Sequence, residues 1–128
     1  MNYKTYEVKV CENGGKFWYF NGKYHNEDGP ACEYTNGKKE WFLNGKLHRR
    51  DGPAIEYANG DKSWYLDGKL HREDGPAYEC KSGYKEWYLN GKAYFEEDWQ
   101  QKVNKLKNTC NGRLVEIDGK KYKLVEVE

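Results

Sequence analysis

The chain has 128 residues, with 22 basic and 21 acidic side chains, 12 Tyr, 5 Trp and a single Met. A formal charge of +1 lacks the basic excess that carries generic binding to nucleic acid or acidic membrane, and no segment is apolar enough to span a bilayer. An apolar share of 37% allows one domain with a modest core of large rings, and the aromatic enrichment favours strands.

The opening "MNYKTYEVKV" has no apolar run of the secretory kind. Cys11, Cys32, Cys80 and Cys110 show neither CxxC nor Cys/His zinc spacing. Reduced thiols and a cytoplasmic location are expected, with disulfides in a secreted protein as the alternative.

The chain then repeats every 23 residues. Trp18, Trp41, Trp64 and Trp87 keep this spacing, as do Gly22, Gly45, Gly68 and Gly91. So do His25, His48 and His71, and Pro30, Pro53 and Pro76, which are all the histidines and prolines present. Full units run 18–40, 41–63 and 64–86, with half units at 1–17 and 87–93. Within a unit, "WYL" and "KLH" flank Asp67-Gly68, a hairpin signal because both turn residues need positive φ. Asn21-Gly22, Asn44-Gly45 and Asn90-Gly91 occupy the same slot. Asp74-Gly75-Pro76 redirects the chain into "PAYEC", and Ser82-Gly83, like Asn36-Gly37 and Asn59-Gly60, turns it back. The prediction for 1–93 is a mainly β protein: an elongated, twisted antiparallel β-meander that gains about two strands per unit. Ideal two-residue turns set Tyr65 opposite Leu70 and Trp64 opposite His71. They also place Trp, His and the Ile55/Tyr78 slot on one face, and Tyr65, Leu70 and the Ala54/Ala77 slot on the other.

The pattern "WYLNGKLHRxDGPAxEYxNGxK" resembles the MORN repeat and its bacterial variants, and more closely the tandem repeats of phages, large DNA viruses and some bacteria. The likeness covers residues 8–93 and departs from MORN by having Asp-Gly-Pro at a simple glycine turn. It implies an elongated sheet used for scaffolding, dimerisation or lipid contact, and no catalysis. It also suggests a viral accessory protein acting in the host cytoplasm on a host factor such as a defence system.

After Asn90-Gly91 the repeat dissolves. "FEEDWQQKVNKLKN" places Phe95, Trp99, Val103 and Leu106 at helical spacing, with acids first and lysines last. A helix of roughly three turns is expected, followed by a hairpin around Asp118-Gly119. Segment 94–128 reads as a cap on the open sheet edge within the same single domain; the alternative is that it carries partner contacts.

Three matched histidines raise the question of a metal. Equivalent residues two strands apart lie on the order of 9–10 Å apart, too far for ligands about 2 Å from one ion. No metal or other cofactor is expected. Ser63 and Ser82 lie outside nucleophile motifs, and repetition is foreign to single asymmetric active sites, so no enzyme is expected. Structurally, each histidine can donate to its turn, the Asp residues suit turns, and the prolines preset φ. Functionally, His25, His48, His71, Arg49 and Arg72 beside Trp41, Trp64 and Trp87 form a row fit for a ligand or partner. Arg49 and Arg72 have no evident structural task. The leading reading is a non-enzymatic interaction module for another protein, with self-association into a homo-oligomer as a further partner. The alternatives are sequestration of a nucleotide or nucleotide-derived signal by Arg, His and aromatic groups, and a structural assembly role. Nucleic-acid and membrane partners are not expected.

Overall fold

The structure, a computed structural model, describes residues 5–110, 114–117 and 120–123. The chain divides into two compact units, Met1–Ala93 and Tyr94–Glu128. In the first, β1 (Tyr6–Val10) pairs with β2 (Lys16–Phe20), and β3 (Lys23–Tyr24) folds back on β2. The next strands are β4 (Cys32–Glu33), β5 (Lys39–Glu40), β6 (Phe42–Leu43), β7 (Lys46–Leu47) and β8 (Ile55–Glu56). They are followed by β9 (Lys62–Ser63), β10 (Tyr65–Leu66), β11 (Lys69–Leu70), β12 (Tyr78–Glu79), β13 (Lys85–Leu89) and β14 (Lys92–Tyr94). The pairing is antiparallel and meander-like, as the turn pattern predicts.

Each unit's Trp strand changes partner at the tryptophan. Trp41 N–H donates to the Ala54 carbonyl at 2.7 Å, while its own carbonyl accepts from His48 N–H at 3.0 Å. Trp18 and Trp64 do the same with Ala31 and His25, and with Ala77 and His71. One lane, β2-β4-β5-β8-β9-β12-β13, is therefore built from the halves before the tryptophans and the strands after the prolines. The hairpins β6-β7 and β10-β11 build a second lane alongside it. Two backbone bonds join each pair of neighbours, such as Gly68 N–H to Leu47 O at 2.8 Å and Arg49 N–H to Tyr65 O at 3.1 Å. Each unit adds two strands to each lane.

The hairpin turns take the mirror-image form that their Asn-Gly and Asp-Gly pairs favour. Asp67 and Gly68 have φ of 50° and 80°, and Asn21, Asn44 and Asn90 match Asp67 within a degree. The register sets Tyr65 opposite Leu70, as expected. The second class of Asn-Gly turn is different. At Asn36-Gly37 only the glycine is left-handed (φ 97°), and Gly37 N–H bonds to Tyr34 O in a three-residue step.

The face assignment needs correction. Ser63 lies opposite Tyr78 and Ile55, so the Ile55/Tyr78 slot shares a face with Tyr65 rather than with Trp64. The corner between hairpin and following strand shifts the alternation by one residue, which reverses the face. The tryptophan face instead carries an unanticipated cross-strand row. Lys16, Glu33, Lys39, Glu56, Lys62, Glu79 and Lys85 stand opposite one another in turn, alternating in sign. Opposite charges so placed contribute about 0.2–1 kcal/mol per pair. The core beneath is thin: Ala31, Ala54 and Ala77 have no accessible surface, and Cys32, Ile55 and Ser63 are buried beside them. Burial, then the Glu40 carboxylate, pushes the Cys32 thiol up to about 12. Cys11, Cys32 and Cys80 are free thiols.

In the second unit, α1 (Glu96–Cys110) opens on Glu96, Glu97 and Asp98 and has Lys107 in its last turn, which suits the helix dipole. Its 15 residues make about four turns, one more than expected. Trp99 and Val103 are buried, but Phe95 and Leu106 of the anticipated stripe are exposed. The strands β15 (Leu114–Ile117) and β16 (Lys120–Lys123) pair antiparallel; the expected turn at Asp118-Gly119 lies outside the described residues. No helix among the described residues is long and apolar enough to cross a membrane.

Candidate interaction site

The corners after the histidines gather most of the polar chemistry. In the third unit, Arg72 folds back over its own corner, with Cζ 3.8 Å from the Trp64 ring centre. Its Nε donates to Asp74 Oδ1 at 2.8 Å, and its Nη1 donates to the Pro76 carbonyl at 3.0 Å and to Glu79 Oε1 at 3.4 Å. Arg49 repeats this with Trp41 (3.9 Å), Asp51 (3.1 Å) and the Pro53 carbonyl (3.1 Å), with Glu56 at 3.5 Å. The two arginines that the sequence leaves without a task are thus the clasps of their corners. A guanidinium can do this because its planar fork donates along its edges while its face lies on an indole. The glycine of Asp-Gly-Pro makes room for it. A Cβ on Gly52 or Gly75 would lie 2.9 Å from the Arg49 or Arg72 Cζ, and neither glycine has positive φ.

The first corner performs the same closure with a shorter side chain. Asn26 Nδ2 donates to the Pro30 carbonyl at 3.1 Å, and its Oδ1 accepts from Asp28 N–H at 3.0 Å. A Cβ on Gly29 would meet only Asn26 Nδ2, at 3.8 Å.

Each histidine fastens its unit to the next. The Nδ1 atoms of His25, His48 and His71 accept from the N–H of Asn44, Asp67 and Asn90, the first turn residue one unit on, at 2.9–3.0 Å. The expected donation to the histidine's own turn is therefore an acceptance from the following one. With Nδ1 accepting, the ring proton sits on Nε2. That atom faces Glu27 Oε1 at 3.2 Å in the first unit and Glu73 Oε1 at 3.4 Å in the third. Position 50, the equivalent in the second unit, is an arginine. His25 is the most buried of the three and packs its ring 5.2 Å from Phe20.

Successive corners leave the same cleft between them twice. One, of about 470 Å³, runs from Asn26–Pro30 to His48–Asp51 over Trp41 and Leu43. The other, of about 760 Å³, runs from Arg49–Gly52 to His71–Asp74 over Trp64 and Leu66. Arg50 lies in the wall they share, exposed, and among the described residues it is the arginine without an ion pair or hydrogen bond. In the larger cleft Arg49, Arg50 and Arg72 face Asp51, Glu73 and Asp74, so its charge is balanced. The opposite face carries a shallow depression of about 430 Å³ walled by Tyr57, Tyr65, Tyr78 and Tyr84. A hydrogen bond with Cys80 first, then burial, raises the Tyr78 phenol.

Of the residues marked by the sequence, the structure joins Arg49 to Trp41 and Arg72 to Trp64, and places His48 and His71 at the clefts. His25 and Trp87 line neither cleft. Among the described residues, no three His, Cys, Asp or Glu side chains converge on a metal-sized position. Arg50 and the tyrosine depression escaped the sequence reading. Arg50 was visible there as a break in the period, since Glu27 and Glu73 fill its slot in the other units. Comparison with protein-family models, curated proteins and solved structures finds no match.

Proposed function

We propose that the chain is a non-enzymatic interaction module that takes a protein partner along the row of corner clefts. The observation that supports this is Arg50, an exposed and unengaged guanidinium in the wall between two equivalent clefts with aromatic floors. Arginine beside aromatic surface is the composition of interface hot spots. The other two arginines are held by carboxylates and proline carbonyls, and their planes cover one face of Trp41 and Trp64. They belong to the scaffold and leave Arg50 as the reader. A host factor remains the proposed partner class if the protein is viral.

The test is a quantitative pull-down with the wild-type chain, Arg50→Glu, and Lys23→Glu as a control, an exposed lysine opposite Phe20 and outside both clefts. The expected result is a stoichiometric partner retained by the wild type and by the control, and lost by Arg50→Glu. No stoichiometric partner, or one indifferent to Arg50→Glu, overturns the proposal. The second reading, a nucleotide-derived ligand, is favoured by the size of the larger cleft, which falls within the range of small-ligand sites. It ranks behind because the cleft's charges cancel. A ligand bound there would raise the melting temperature with concentration; a flat response to mono-, cyclic and dinucleotides disposes of it.

A further inference from the structure

The N-terminal edge of the repeat sheet is chemically unlike its interior. All five residues of β1 are exposed, and Tyr6, Val8 and Val10 keep 62%, 53% and 64% of their surface. They share one face with Phe20 and Trp18, their cross-strand partners, and the Tyr6 and Phe20 rings lie 4.6 Å apart. Glu7 and Lys9 take the other face, where Lys9 Nζ sits 4.7 Å from the Tyr19 ring centre. An exposed, flat, alternating edge strand is a template for further pairing unless something guards it.

The direction of its free backbone groups can be read from the strand's ends. Cys11 N–H donates to Gly15 O at 2.8 Å, and Thr5 O accepts from Asn21 N–H at 3.0 Å. Residues 5 and 11 therefore point their polar groups at the β2 side, and by alternation so do Glu7 and Lys9. The N–H and C=O groups of Tyr6, Val8 and Val10 point outward.

We infer that β1 pairs with β1 of a second copy of this chain, antiparallel about a two-fold axis at Val8. In that register Val8 meets Val8 of the second copy, and Tyr6 meets its Val10. Each such pair consists of outward-pointing residues and exchanges two backbone hydrogen bonds. Glu7 then stands opposite Lys9 of the second copy, and Lys9 opposite its Glu7. Sliding the strands to the neighbouring registers that keep the outward groups paired sets Glu7 against Glu7, or Lys9 against Lys9. Like charges directly opposite are destabilising, so the charges select the central register. The apolar strip Tyr6-Val8-Val10 closes on its own symmetry mate, the self-complementarity an isologous contact requires. None of these residues lines a corner cleft, so the inference stands or falls independently of the proposed function.

Sedimentation equilibrium on the intact chain tests it, with circular dichroism confirming that each variant is folded. The wild type should associate reversibly into dimers. Glu7→Lys alone, or Lys9→Glu alone, places two like-charged pairs across the axis and should weaken association by about tenfold. An equal mixture of Glu7→Lys and Lys9→Glu chains should recover it as a heterodimer, because each lysine pair then faces a glutamate pair. In amide exchange, protection at Tyr6, Val8 and Val10 should rise with protein concentration, while Glu7 and Lys9, already bonded to β2, should not change. A wild type that stays monomeric up to about 1 mM, where weak interfaces already associate, overturns the inference. So does a mixture that associates no better than its components.

Discussion

The first and third corners solve one problem with different side chains. Both must satisfy the carbonyl of the proline that opens the next strand, Pro30 or Pro76. Asn26 reaches it at 3.1 Å and does little else beyond closing its own turn. Arg72 reaches it at 3.0 Å and also ties down Asp74, Glu79 and the face of Trp64. The repeat therefore demands a donor at this position and tolerates two chemistries. The longer one couples three strands' worth of side chains that the shorter leaves separate.

The largest expected effect breaks this comparison at its stronger member. Arg72→Ala removes charge-assisted hydrogen bonds and a stacked guanidinium, and uncovers the Trp64 ring. A loss of about 2 kcal/mol in urea unfolding is expected, against about 1 kcal/mol for Asn26→Ala, which loses neutral hydrogen bonds. Arg72→Lys should recover less than half, since an ammonium cannot bind as a fork and stack at once. Equal losses at the two corners would show that the guanidinium's extra contacts add nothing.

How much of this was legible beforehand depended on how local the information was. The period, the hairpins and the left-handed turn residues could be read because Asn-Gly and Asp-Gly encode their own backbone geometry. Tyr65 opposite Leu70 followed from the turn alone. The placement of Tyr78 did not, because the bend between His71 and Ala77 sets the alternation and no residue preference specifies it. The duties of Arg49 and Arg72 were hidden for a related reason. Each depends on its guanidinium meeting an indole eight residues earlier, which only the folded corner arranges. The histidine contacts reach 19 residues ahead into the following unit and were hidden the same way. Arg50 stands in the sequence as an irregularity, in a slot that Glu27 and Glu73 fill in the other units, and a period marks what recurs rather than what departs from it.

A transplant sharpens the comparison at intermediate size. The first unit already holds Trp18, Asp28, Gly29 and Glu33 at the positions that serve Arg72 in the third. Asn26→Arg should therefore install a third clasp and stabilise the chain by about 1 kcal/mol. The glycine reports whether it has formed. Gly29→Ala should be nearly neutral in the wild type, where the nearest atom to the new Cβ is 3.8 Å away. In the Asn26→Arg background it should cost about 1 kcal/mol, as Gly75→Ala should in the native third corner, because the Cβ takes the guanidinium's place. Additive effects of Asn26→Arg and Gly29→Ala would mean that the new arginine points to solvent.

The smallest effect separates what the two corners share from what distinguishes them. His25 and His71 both accept from the next turn, at 3.0 and 2.9 Å, so this contact should not depend on which clasp closes the corner. An asparagine places its side-chain oxygen where Nδ1 stands, and a glutamine reaches towards Nε2 instead. His71→Asn should thus keep the acceptor for the Asn90 N–H, while His71→Gln and His71→Ala leave that donor without it. The expected difference between Asn and Gln is about 0.5–1 kcal/mol in thermal or urea unfolding. The same order should hold at His25, displaced to larger losses because its ring also packs on Phe20. If Gln matches or exceeds Asn at position 71, the Nε2 contact with Glu73 is the stronger one, and the histidine serves its own corner more than the next unit.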